Sequence, residues 1–145
     1  MPEQETIERA REDAREGKSP STQAGEFVRE EMHHVREGKH GARSPQQAIA
    51  IGLSKARRAG VKLRAPKGSA ALKKKAAQDE KAGEKPPRKI SVTRSRATED
   101  ALKREPRSSA SKKALSRQAK TAAAKRGKPA RREAAMKAAK TRKAA

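Results

Sequence analysis

Only 14 of the 145 residues are leucine, isoleucine, valine or phenylalanine, about one in ten. A chain below ~20% in these residues that also carries a high net charge is expected to be largely disordered. Alanine, at 29 residues, supplies most of the nominal apolar content. Lysine and arginine number 39 against 17 acids, a formal charge of +22. These two facts predict a short folded module joined to a long stretch that charge keeps open.

Several classes of function fall on composition alone. There is no cysteine, hence no disulfide framework, thiolate zinc site or cysteine nucleophile. Phe27 is the sole aromatic residue, which excludes modules that stack bases on aromatic platforms. The longest apolar run, Ala48 to Leu53, contains a glycine and is far short of the ~20 residues a membrane-spanning helix needs. The first residues, Met1-Pro2-Glu3-Gln4-Glu5, are acidic, unlike a secretory leader. No membrane partner is expected, and a cytoplasmic location is.

Charge divides the chain. Residues 1–60 carry 11 Lys/Arg and 10 Asp/Glu, a net of +1, whereas residues 61–145 carry 28 and 7, a net of +21. The expected organisation is a helical module over 1–63 and a basic tail over 64–145.

The module reads as three short helices, about 3–16, 20–37 and 45–59, making the fold class mostly α. Ser19-Pro20 and Ser44-Pro45 are helix starts, since the serine oxygen accepts a free N–H and proline at the first position loses no hydrogen bond. Gln47 completes a capping box with Ser44. Gly17, Gly38 and Gly60 are stops. Arg15-Glu16-Gly17-Lys18 recurs as Arg36-Glu37-Gly38-Lys39, an echo that fits either two similar units or chance. The second helix aligns Ala24, Phe27, Val28, Met32 and Val35. The third aligns Ala48, Ile49, Leu53, Ala56 and Ala59. The first offers only Ile7, Ala10 and Ala14, too thin a stripe to hold it down. The module is therefore expected to be marginal by itself, and its second and third helices to pair, dimerise or fold on a partner. Phe27, Val28, Met32, Val35, Ile49 and Leu53 are the candidate partner-binding residues.

Beyond Val61 the residues 64–68 read as a linker. Ala70 to Lys81 is a weak helix with one large apolar residue, Leu72. Lys85-Pro86-Pro87-Arg88 breaks any helix, and Ile90 to Thr93 reads as extended. Thr98 to Glu105 can be a short helix with the i,i+4 pairs Glu99–Lys103 and Asp100–Arg104. From Ser109 onward alanine favours helix and dense like charge opposes it. The expectation is a tail disordered alone and helix-prone once neutralised.

The run Gln47-Ala48-Ile49-Ala50-Ile51-Gly52-Leu53-Ser54-Lys55-Ala56-Arg57, within Ser44 to Gly60, resembles a family of small basic bacterial proteins built around a domain of unknown function. Ala24 to Glu31, Gly38-Lys39-His40-Gly41, Ala101 to Arg104 and Ala114 to Arg117 resemble it too. That resemblance implies no activity. The tail is similar in composition to the Lys/Ala-rich tails of linker-histone-like proteins.

The tail predicts a polyanion partner, DNA or RNA, bound through phosphates regardless of sequence. Helical spacing puts Lys112, Lys113, Arg117 and Lys120 on one side, opposite Leu115 and Ala119. Arg126-Gly127-Lys128-Pro129 resembles the Arg-Gly-Arg-Pro core of the AT-hook, in which a glycine lets the backbone lie in the minor groove of A·T-rich DNA. It departs from that core at Lys128, and the favoured reading of the run is a helix stop at Gly127 and a restart at Pro129. Lys125, Arg131 and Arg132 complete the candidate nucleic-acid-binding set. His33, His34 and His40 read as residues of a solvated helix face, with the i,i+4 pairs Glu30–His34 and His33–Glu37 and no metal-binding spacing. Neither a phosphate-cradling glycine loop nor a nucleophile elbow occurs, so no catalytic residues and no cofactor are expected. The expected function is histone-like nucleic-acid binding at the nucleoid, without enzymatic activity. The alternatives are a protein-interaction module over 19–63 with a polycationic tether, and an RNA- or ribosome-associated protein.

Overall fold

Serine oxygens start most of the helices. Ser19 accepts from Thr22 N, Ser44 from Gln47 N, Ser69 from Leu72 N, Ser91 from Arg94 N and Ser111 from Ala114 N. In the computed structural model, which describes residues 1–86 and 89–144, six α-helices follow in order. They are α1 (Gln4–Arg15), α2 (Pro20–Glu37), α3 (Pro45–Arg58), α4 (Ala70–Gly83), α5 (Val92–Lys103) and α6 (Lys112–Ala144), with a 3-10 turn over Arg107–Ala110. Gln47 Oε1 reaches the N–H of Arg43, one residue before the cap, at 2.7 Å.

The expected disordered tail is the main correction. Residues 70–83, 92–103 and 112–144 are helical, and no strand occurs among the described residues. The region from Ile90 to Thr93 is not an extended segment, because Ser91 is a helix cap and Val92 already lies inside α5. In α6, alanine propensity prevails over repulsion. Like charges on a helix repel at i,i+3 and i,i+4. Eleven of the 33 residues of α6 are alanine, against two cation pairs four apart and five three apart in sequence.

The chain divides into two compact units, Met1–Ala110 and the residues from Ser111 on. In the first, α2 is the central helix, packing against α1, α3 and the 3-10 turn, while α4 packs on α3. Ala10, Ala24, Phe27, Ala56 and Val61 form the core cluster, with Ile7, Leu53 and Leu63 packed against it. The first helix is held by more than its apolar stripe. Arg9 Nε donates to Glu26 Oε2 at 2.7 Å, and the backbone N–H of Glu3 donates to Glu30 Oε2 at 2.9 Å. In α3 the buried spine is Ala48, Gly52 and Ala56, small residues at i,i+4 spacing that let α2 come close.

Polar groups hold α4 in place. Asp79 is buried and accepts from Ser54 Oγ at 2.7 Å, Arg58 Nε at 2.8 Å and Lys75 Nζ at 2.8 Å. Burial pushes its carboxyl up, but the bonds from Lys75, Ser54 and Arg58 outweigh that and hold it below the ordinary aspartate range. A backbone clasp closes the unit. Gly41 N donates to Leu102 O at 2.8 Å and Ala42 N to Pro106 O at 3.1 Å, and Arg36 Nε donates to the carbonyl of buried Ala110 at 3.0 Å. A side chain on Gly41 would collide with the carbonyl of Glu105.

Candidate functional site

Two arrangements stand out, one on the surface and one inside. The surface one is α6. Its 33 residues hold 13 Lys/Arg and one acid, Glu133, and none is buried. Lys112, Lys113, Arg117, Lys120, Lys125, Arg126, Lys128, Arg131 and Arg132 are all exposed. Lys112, Lys113, Arg117 and Lys120 lie on the first segment of the helix, whose Leu115 is half-buried and whose Ala119 is exposed. At Gly127 the helix breaks, with φ 75° and ψ 166°. Only glycine adopts that region without strain. Helix resumes beyond it with Pro129 in its first turn, where proline costs no hydrogen bond. Lys125 and Arg126 therefore end one helical segment, where cations complement the helix dipole.

In the first unit a part of the cations is paired with acids. Lys18 pairs with Asp13 and Glu16, Lys62 with Glu80 and Glu84, and Arg9 with Glu5 and Glu26. The apolar candidates are used in packing as well. Phe27, Met32 and Val35 are buried, while Val28, Ile49 and Leu53 are half-buried.

The interior arrangement is a polar network on α2 that hydrophobic patterning does not foresee. Glu30 and Glu31, at 4% and 1% exposure, stand side by side among core residues. Lys55 of α3 reaches both, 3.0 Å to Glu30 Oε1 and 2.8 Å to Glu31 Oε2. Burial works against its charge, but Glu31 and Glu30 outweigh that and hold the Lys55 ammonium above its ordinary range. Glu30 is likewise pushed up by burial, yet the Glu3 backbone N–H, the Thr6 hydroxyl and Lys55 hold it below the usual carboxylate range.

The histidines join this network and do not sit on a solvated face, except His33, which is exposed. His34 Nε2 is 2.9 Å from Glu3 Oε1, which Lys39 Nζ also approaches at 3.1 Å. His34 and Lys39 together lower the Glu3 carboxyl to about 2. His40 Nε2 is 3.1 Å from Glu31 Oε1, and its Nδ1 is 3.0 Å from the Gly41 carbonyl. The turn that allows this is Gly38, left-handed at φ 78°, which ends α2 and sends the chain back along it. Glu31, His34 and His40 thereby present three donor atoms within 4.8 Å of one another.

Comparison with protein-family models, with curated proteins and with solved structures found no match. Among the described residues no helix is long and apolar enough to cross a membrane.

Proposed function

We propose that this chain is a non-enzymatic, histone-like nucleic-acid-binding protein that contacts phosphate backbones through α6, with DNA as the first partner and RNA as its near neighbour. One observation carries the reading: a 33-residue helical stretch, broken at Gly127, with 13 cations, one acid and no buried residue. At 1.5 Å rise per residue, cations along one face meet a duplex that offers a phosphate charge every ~1.7 Å of axis. Each phosphate neutralised releases condensed counterions, so affinity comes without base reading. The break at Gly127 lets the two helical segments follow the backbone in different directions. Arg126-Gly127-Lys128-Pro129 adds a modest preference for A·T-rich minor grooves. The nucleoid of a bacterial cytoplasm is the matching location, in line with the resemblance of residues 44–60. In the alternative, residues 19–63 dock on a protein partner. That reading has to find its surface elsewhere than Phe27, Met32 and Val35, which are buried.

The test is a salt titration of the full chain on an A·T-rich duplex, a G·C-rich duplex and a structured RNA. The expected result is a log–log slope of about −5 to −10, nearly alike on all three, as for some six to eleven phosphates neutralised. Salt-independent binding, or strong selection of one G·C-rich site, overturns the reading.

A further inference from the structure

We propose that Glu31, His34 and His40 form a binding site for one divalent transition-metal ion of the zinc type. Two carboxylate or imidazole donors on one helix turn and a third from the following loop make a three-ligand set, with a fourth position left for water. Glu31 and His34 stand three apart on α2, on the same side of the helix, and Gly38 folds His40 back over them.

The bonding of His40 points to a cation. Its two ring nitrogens face two acceptors, the Gly41 carbonyl and Glu31 Oε1. A neutral imidazole has one N–H only, so one of those contacts is unsatisfied unless a positive charge is supplied. With Nδ1–H donated to the carbonyl, Nε2 presents its lone pair toward the carboxylate. That is the orientation in which metal-bound histidines are commonly held by a backbone acceptor. An ion between Nε2 and Oε1 satisfies both.

Spacing agrees. Donors on a tetrahedral ion with bonds of about 2.0–2.1 Å stand roughly 3.3 Å apart. His40 Nε2 and Glu31 Oε1 are already 3.1 Å apart. All three donor atoms lie within 4.8 Å, so His34 has at most ~1.5 Å to close against that spacing. Lys55 and Lys39 oppose a cation, but Lys55 lies against Glu31 Oε2 and Glu30 and Lys39 against Glu3 and Glu37, so Glu31 Oε1 faces His40.

The experiment uses the full chain freed of metal with a chelator, then titrated with Co2+ and, in competition, Zn2+ at neutral pH. The expected result is visible Co(II) absorption of a low-coordinate site, saturating at one ion per chain and displaced by Zn2+, and a melting temperature raised by Zn2+. His34→Gln and His40→Gln each weaken binding by more than the ~10–100-fold that loss of an outer-shell partner costs. His33→Gln, on the exposed side of α2, leaves it unchanged. Circular dichroism of the metal-free variants shows which are folded, and if one fails to fold the other carries the test. An absent cobalt spectrum, or binding that both histidine variants retain, overturns the site.

Discussion

A Cβ placed on Gly52 would stand 2.7 Å from the Cα of Val28 and 3.0 Å from its amide nitrogen. The obstacle is backbone, which cannot swing aside as a side chain would. The crossing of α2 over α3 is thus set by the absence of a side chain at one position. Gly52→Ala should destabilise the chain by ~1–3 kcal/mol, the usual cost of overpacking. Gly25→Ala is the control. Gly25 is an exposed residue inside α2 with open space around it, and alanine there should stabilise by about 0.5–1 kcal/mol through helix propensity. Denaturant unfolding followed by circular dichroism reads both, and opposite signs are expected.

Lys55 holds two buried carboxylates together. Lys55→Met keeps the stem volume and removes the charge, leaving Glu30 and Glu31 without their shared cation. Breaking one side of a buried pair typically costs ~3–5 kcal/mol. The triple variant Lys55→Met, Glu30→Gln, Glu31→Gln should recover most of that loss, because no uncompensated charge remains. Equal stability of the single variant and the parent would show the network to be energetically idle.

Stability should depend on pH at its acid end. Asp79 and Glu30 titrate below the ordinary range in the fold, so near pH 4 the unfolded chain binds more protons than the native one. Their contribution is fully present above the unfolded values of about 3.9 and 4.3, and it is lost as pH falls through the lower native ones. Lys55 is the mirror case. Its native value is raised, so its contribution is full below ~10.4 and lost only as pH climbs through the native value. Between about pH 5 and 9 these three groups add no slope. Asp79→Asn should flatten the acid limb and lower the plateau. An acid limb unchanged by that substitution would place its origin elsewhere.

On nucleic acid, replacing Lys112, Lys113, Arg117 and Lys120 by glutamine should make the salt slope shallower by about 3 to 4, at ~0.9 for each phosphate no longer neutralised. The change should be the same on A·T-rich and G·C-rich duplexes. Gly127→Val should leave the slope almost unchanged and erase any A·T preference, since valine is strained at φ 75°. A slope insensitive to the four glutamines would move the binding surface away from the first segment of α6.

The features legible in the sequence are those decided locally. Ser19-Pro20, Ser44-Pro45 and Gly38 mark helix ends because capping involves residues two to four apart, and the observed ends fall at those positions. The same capping signal is present at Ser69, Ser91 and Ser111, but average composition points the other way and hides the order of the basic half. Buried charge is illegible for a different reason. Glu30, Glu31 and Asp79 look like surface residues until Lys55, Ser54 and Arg58 arrive from 20 or more positions away. The return of His40 onto Glu31 is illegible too, because it depends on the path of the chain beyond Gly38.

The clasp of Gly41 and Ala42 on Leu102 and Pro106 has a consequence for the order of events at birth. Chains fold from the N-terminus as they emerge, and α1, α2 and α3 can pack on one another before residue 102 is synthesised. The clasp must wait. It then ties residues some sixty positions apart through α5, a helix with no buried residue. The entropy of closing such a loop grows only slowly with length, so the delay is set by translation and by the search for one glycine-sized gap. The last step of folding would then be the seating of a peptide segment against an already finished three-helix surface. Until that step, the turn carrying His40 lacks its covering strap.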